Sequence, residues 1–417
     1  MPPTDGPATA ICDAAREYDS AASAAVPTPV STAAGAVPGA ASVKRIMIDN
    51  SHTNPLLPAL RAVVPACVFL LAGHAWSASP PASAGFAVLA QPALASARAT
   101  QQAMLAVTRA GARLVAVGEQ GIVLLSDDNG ASWRQARVPV SVSLTAVRFV
   151  DARHGWAVGH LGTVLHSADG GETWVKQLDG VAAAQRVLKE AEARARDAGE
   201  ETREAAERGL RNARRLVEEG PDKPFLDVHF TDTRTGFVLG AYNQIFRTDD
   251  GGLNWRPWHD RMPNPDGFHL YGMSAAQGVL LVVGEQGTLL RSRDGGEHFE
   301  ALESPYAGSF FGVISEPGGA FIAFGLRGNA FRSDDRGDTW QRVDTGQSES
   351  LSAGTVLADG SPALVSQAGE LLVSRDAGRS FGRVPDLPAL PLAGLAQAAD
   401  GAVVGASLVG AHRLGLP

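Results

Sequence analysis

A phrase of the form Ser/Thr-x-Asp-x-Gly-x-x-Trp/Phe occurs six times along this 417-residue chain, and its spacing limits the fold more than any other feature. The first three copies are Ser126/Asp128/Gly130/Trp133, Ser167/Asp169/Gly171/Trp174 and Thr248/Asp250/Gly252/Trp255. The others are Ser292/Asp294/Gly296/Phe299, Ser333/Asp335/Gly337/Trp340 and Ser374/Asp376/Gly378/Phe381. Their Ser/Thr positions are 41, 81, 44, 41 and 41 residues apart. A period of about forty residues marks a repeat architecture, in which each unit buries its apolar face against its neighbours.

Each unit reads as four short strands. In the second, Leu144–Val150, Trp156–Gly159, Thr163–Ser167 and Trp174–Leu178 are β-branched or aromatic runs bounded by Gly, Asp and Asn. Four antiparallel strands in about forty residues is one propeller blade. A Gly-x-x-Gly pair keeps the same register at Gly118/Gly121, Gly159/Gly162, Gly284/Gly287 and Gly325/Gly328. Asn243, which also tolerates positive φ, replaces the second glycine in the third unit. Gly369 and Gly410 continue the series, so a seventh unit without a box runs from about Pro391 to Pro417. The fold expected is all-β, a seven-bladed propeller over residues 85–417, with Phe86–Ala90 as the strand that completes the last blade and closes the ring.

The 81-residue step contains an insertion. Residues 181–220 are rich in Ala, Glu and Arg, and Ala205, Ala206, Leu210, Ala213, Leu216 and Val217 recur at helical spacing. This predicts a helical hairpin broken near Gly199 and ended by Gly220-Pro221. It joins an outer fourth strand to the next inner strand, which puts it on the face of the Gly-x-x-Gly turns and opposite the boxes.

Residues 1–46 are Ala-, Pro-, Ser- and Thr-rich, and read as a disordered or mis-annotated extension with Met47 as the start. Residues 47–84 have a secretory layout: Arg61, an apolar run from Ala62 to Ala72, and small-residue cleavage sites ending at Ser77 or Ala84. An uncleaved membrane anchor is the alternative. Export to the periplasm follows from either. Both cysteines, Cys12 and Cys67, precede the repeats, so the repeat domain has no thiol for disulfides, metal binding or nucleophilic attack. The net charge of −8 gives no support to nucleic-acid binding.

The boxes themselves read as scaffold. Asp accepts backbone N–H groups in a tight turn, Gly supplies positive φ, and the aromatic packs between blades. Asp128, Asp169, Asp250, Asp294, Asp335 and Asp376 are therefore structural, since six copies around a ring cannot serve one active centre. Such boxes also occur in sialidases, whose chemistry needs an arginine triad and a Tyr–Glu nucleophile pair. Ala136-Arg137-Val138-Pro139 lacks the leading aromatic of the sialidase motif, and Tyr242, Tyr271 and Tyr306 have no suggestive Glu beside them. The histidines show no metal-ligand spacing, and His160 and His166 read as blade surface. No catalytic residue, cofactor or metal is expected. One recurrence points to binding: Arg247, Arg291 and Arg332 precede three consecutive boxes and would line up as a cationic stripe suited to carboxylates. The competing role for them is pairing with nearby carboxylates such as Asp249 and Asp334.

The repeats, as in Gly284–Gly296 and Gly159–Trp174, resemble the BNR or Asp-box propellers of the photosystem II assembly/stability factor family over about Phe86–Pro417. The resemblance implies a non-enzymatic lumenal or periplasmic protein that binds a subunit of a membrane complex through an arginine-rich surface, to which Arg247, Arg291 and Arg332 are similar in kind. It implies no small-molecule substrate, and a monomer is expected. The helical hairpin departs from the basic family pattern. The Ala-rich, Arg-over-Lys composition suggests a GC-rich bacterium, in which similar exported propellers look like accessory proteins of RND-type exporters.

Overall fold

The computed structural model describes residues 86–388 and 390–415. The expected leader, its cleavage sites, the N-terminal extension and both cysteines lie outside the described residues. The described chain is mostly β. Six antiparallel sheets of four strands and one of three follow one another along the sequence, each with its strands side by side in chain order. The first strands are Met104–Ala110, Leu144–Phe149, Phe225–Phe230, Leu270–Ala276, Phe310–Ser315, Leu351–Val356 and Leu392–Gln397. Each packs against the first strand of the next sheet, and the seventh packs against the first.

The second strands explain the cohesion of the array. Trp156, Val238, Val282, Ile322 and Leu364 lie in strands buried along their whole length, as expected of a strand covered on both faces. Seven apolar clusters result, mostly shared between successive sheets. The box aromatics belong to these seams. Trp174 packs with Val115 and Leu125 of the preceding sheet, Trp255 with Val158 and Val164, and Phe381 with Ile322 and Phe324. Trp133 of the first sheet packs with Val404 and Ala406 of the seventh.

The seventh sheet comprises Leu392–Gln397, Val403–Ser407 and Gly410–Leu414. Phe86–Ala90 does not join it, contrary to the expectation from sequence. Ala87–Leu89 forms a 3-10 turn closed by the Leu89 and Ala90 N–H groups on the Phe86 and Ala87 carbonyls. Local i→i+3 bonds thus use the groups a strand would offer, and Pro92, with no N–H, follows one residue later. The segment instead packs beside the first sheet, where the Ser141 N–H donates to Val88 O at 2.9 Å. The seam between the seventh and first sheets has its own bonds: Arg413 Nη1 donates to Asn129 O (2.8 Å) and Ala399 N–H to Asn129 Oδ1 (3.1 Å).

Between the second and third sheets stand two helices, Gly180–Asp197 and Arg203–Glu219. Asp179 caps the first, its side chain accepting the Ala182 N–H. Gly220, at φ 85°, ends the second. Ala183 packs into the seam of sheets two and three with Leu178 and Phe225, and Arg186 Nη1 donates to Trp255 O at 2.9 Å. The hairpin is therefore rooted in the sheet array. Its first helix packs against the His160–Gly162 turn, so it rises from the face carrying the Gly-x-x-Gly turns.

Candidate functional site: boxes, arginines and the channel mouth

The six boxes have one geometry. In the first, Ser126 Oγ donates to Asp128 Oδ1 (2.8 Å) and accepts the Gly130 N–H (2.8 Å). Asp128 also accepts the Ser132 N–H (2.9 Å) and hydroxyl (2.6 Å). Asp169, Asp250, Asp294, Asp335 and Asp376 repeat the pattern with Thr173, Asn254, His298, Thr339 and Ser380. The Ser132 hydroxyl and N–H hold the Asp128 carboxyl down to about 2, and all five others are lowered too. Each carboxylate is committed to its own turn.

A depressed folded-state pKa stabilises the fold above the unfolded value and is lost as pH falls through the folded one. Six such groups act together, so their joint contribution to stability should hold from pH 7 to about 5 and be lost steeply below about pH 4. Urea titrations across that range check this; a flat profile down to pH 3 would contradict it.

Arg247, Arg291 and Arg332 do not form an exposed stripe. They are 8%, 5% and 6% exposed, and their guanidinium groups are taken up by carboxylates of the same or the next sheet. Arg247 pairs with Asp249 (2.9 Å) and Glu297 (2.8 Å), and lies 4.8 Å from the Trp258 ring centre. Arg291 pairs with Glu300 and Asp338, both at 2.7 Å. Arg332 pairs with Glu316 (2.7 Å) and Asp334 (2.6 Å). Arg247 and Arg291 thus clamp their sheet to the next, through Glu297 and Asp338, while Arg332 ties its strand to turns of its own sheet. The same join appears without an arginine at this position: Arg113 holds Gly170 O (3.1 Å) and Glu172 (2.9 Å).

A cavity of about 410 Å³ is lined by all seven first strands. Side chains stitch those strands across it. Thr145 Oγ1 donates to Phe225 O (2.7 Å), Ser352 Oγ to Leu392 O (2.7 Å) and Ser315 Oγ to Ala275 O (2.9 Å). Asp227 serves the same purpose as an acceptor, taking the Met273 N–H at 2.8 Å. Burial pushes its carboxyl up to about 6, against the opposing pull of that N–H and of Arg148. His229, two residues on, is buried with no hydrogen-bond partner on either ring nitrogen among the described residues, and burial pushes it down to about 3, so it is neutral.

A raised carboxyl pKa favours the fold below the unfolded value of about 3.9 and withdraws that support as pH rises through 6. Asp227→Asn removes the charge and keeps an acceptor. The variant should gain up to about 3 kcal/mol over the parent above pH 7 and nothing below pH 4. Paired denaturation curves at pH 8 and pH 4 check this; equal curves at pH 8 would contradict it.

At the hairpin end of the cavity lies an aromatic arc. Tyr242 lies 4.6 Å from His269, His269 lies 6.1 Å from Tyr271, and Tyr271 meets Phe311 edge-on at 5.7 Å. Tyr271 and Phe311 line the cavity, and Tyr242 is 53% exposed at its outer edge. Lys223 Nζ sits 5.3 Å from the Tyr242 ring centre and is held by Glu219 at the end of the hairpin (2.9 Å). No sequence motif or period announces this arc. Its one early sign was Tyr242 itself, which stands inside a Gly-x-x-Gly-type turn where a small residue would be easiest.

Comparison with known proteins agrees with this architecture. The family model for the photosynthesis system II assembly factor YCF48 matches residues 125–192 and 210–306. The photosystem II assembly lipoprotein Ycf48 of Synechococcus sp. (strain CC9902) is 30% identical over 123 residues, 28% of this chain and 35% of that protein. The chain thus aligns with about a third of that relative's length. Among solved structures, YCF48 bound to D1 peptide superposes with a TM-score of 0.55 at 15% identity, covering 76% of this chain and 94% of that one. Streptogramin B lyase superposes with a TM-score of 0.57 at 12% identity, covering 76% and 95%. These two share the fold, and a fold common to an assembly factor and a lyase does not choose between activities. On its repeats, its sheets and its match to the family model, the chain is a BNR or Asp-box β-propeller that resembles the photosystem II assembly and stability factors.

Proposed function

We propose that this chain is an exported, non-catalytic propeller of seven blades that binds a subunit of a membrane-protein complex and supports its assembly. The match of the YCF48 family model to two box-bearing stretches of the chain carries this reading. Its support from geometry is positive: all six box carboxylates are committed to their turns, and the arginines to their sheets. The seven sheets with sequentially packed first strands, and the Arg413–Asn129 seam, favour one closed ring. A structural relative bound to a D1 peptide and a relative named as a lipoprotein favour a peptide-binding role outside the cytoplasm. The apolar run Ala62–Ala72 is consistent with that placement. The reading needs no cofactor and no small-molecule substrate, and takes the propeller as a monomer.

The test is affinity purification of the tagged full chain from detergent-solubilised membranes of its own host, followed by mass spectrometry. An integral-membrane subunit should be enriched over a tagged, unrelated propeller. Equal recovery of membrane proteins on both would overturn the reading.

A further inference from the structure

The Gly-x-x-Gly turns carry a cost that scaffold alone does not explain. In the first, the Ile122 N–H bonds Glu119 O at 3.0 Å, and both residues between them have positive φ, Gln120 at 54° and Gly121 at 73°. This is a type I′ hairpin turn, for which Asn-Gly or Gly-Gly is the low-strain choice. The first of these positions is Gln120, Leu161, Tyr242, Gln286 and Arg327 in five successive units, all with φ between 50° and 57°. A left-handed conformation costs each of these side chains about 1 kcal/mol relative to glycine. Such outliers gather where a side chain is needed for its own sake.

Two of the five flank the aromatic arc. Tyr242 stands at one end. Arg327 stands at the other, in the same sheet as Phe311, exposed and paired with no carboxylate among the described residues. This sets it apart from Arg247, Arg291 and Arg332, whose charges are neutralised internally. Between the two ends, Tyr271 and Phe311 present ring surface at the cavity wall. An aromatic arc, its His269 held by Glu285 at 3.0 Å, that ends at a guanidinium without a carboxylate fits an aromatic ring followed by a carboxylate.

We propose that the hairpin-side mouth of the channel docks an extended peptide segment of the membrane partner, with an aromatic side chain stacked on the Tyr242–Tyr271–Phe311 arc and an acidic side chain paired with Arg327. The proposal rests on the binding role put forward above and gives it a location.

The turn geometry supplies a clean test. Tyr242→Asn and Arg327→Asn place a residue that accepts positive φ, so both variants keep the fold and match or exceed the parent in thermal stability. The probe is a dye-labelled eight-residue peptide with a central Trp flanked by Glu, read by fluorescence anisotropy on the full chain. Each variant should weaken binding about tenfold, and a peptide with Lys for Glu should lose the Arg327 dependence. Unchanged affinity in both variants, or no binding of the Trp/Glu peptide to the parent at millimolar concentration, overturns the proposal. Co-purification with membrane subunits separates the two ideas. If the parent and both variants recover the same membrane subunit equally, the mouth proposal fails while the assembly role stands; if the parent recovers none, the role itself fails.

Discussion

Arg332→Ala should cost about 3 to 5 kcal/mol of folding stability, the range for breaking a buried ion pair from one side. Arg332 and Glu316 are each only 7% exposed at the side chain and meet at 2.7 Å. Truncating Arg332 leaves the Glu316 carboxylate buried and without its cation, and Glu316 Oε1 already lacks a hydrogen-bond partner among the described residues. The loss comes from stranding that charge, not from the net worth of the pair, so the double variant Arg332→Met with Glu316→Leu should return close to parental stability. Arg291→Ala is an internal comparison. Its partners Glu300 and Asp338 are about half exposed, so water solvates them once the arginine is gone and the cost is smaller. Urea unfolding of the four proteins checks the series. A cost below about 1 kcal/mol for Arg332→Ala would show that Glu316 reaches water and that the clamp is misassigned.

Gly240→Ala should cost about 3 kcal/mol, through space and not through conformation. Gly240 is extended, at φ −175°, which any residue adopts. A Cβ there would lie 2.2 Å from Pro224 O and 2.7 Å from Phe225 Cα, backbone atoms that begin the first strand of the sheet. Neither can swing aside, because the Ala241 N–H holds Pro224 O at 3.1 Å. The same approach recurs at Gly118, Gly159, Gly284 and Gly325, where a Cβ would come 2.0 to 2.4 Å from a carbonyl oxygen. This is why glycine opens each of these turns. Gly278→Ala is the contrasting case: its Cβ meets nothing within 4 Å but its φ is 79°, so only the conformational cost of about 1 to 2 kcal/mol applies. Thermal unfolding of both variants checks the ordering; equal losses would contradict it.

The parts of this fold that could be read from sequence are those that repeat. Box spacing counted the units because each Asp, Gly and aromatic meets the same need in every sheet. The hairpin stood out because its composition abandons strand periodicity for Ala, Glu and Arg. What escaped depends on neighbours that no period announces. Whether Arg332 faces water is decided by Glu316, which a turn of the same sheet brings against it. Phe86–Ala90 has the apolar look of a strand, yet its backbone closes on itself and Pro92 follows, so among the described residues the seventh sheet has three strands. The aromatic arc draws Tyr242, Tyr271 and Phe311 from three different sheets, and only the topology puts them side by side. The strained turns were visible as Gly-x-x-Gly, but the pattern does not show that the residue between the glycines, such as Tyr242 or Arg327, also takes a positive φ.

The proposed docking face follows from the same topology. Tyr242 and Leu253 belong to one repeat but lie on opposite faces, Tyr242 at the channel mouth and Leu253 in the third box, 79% exposed. The most direct measurement is photocrosslinking in the native host from p-benzoylphenylalanine placed at position 242 or at position 253, with adducts identified by mass spectrometry. The expected result is an adduct with an integral-membrane protein from position 242 and none from position 253. Membrane-protein adducts from position 253 alone, or from neither position while the chain still co-purifies with its membrane subunit, would contradict docking at the hairpin-side mouth.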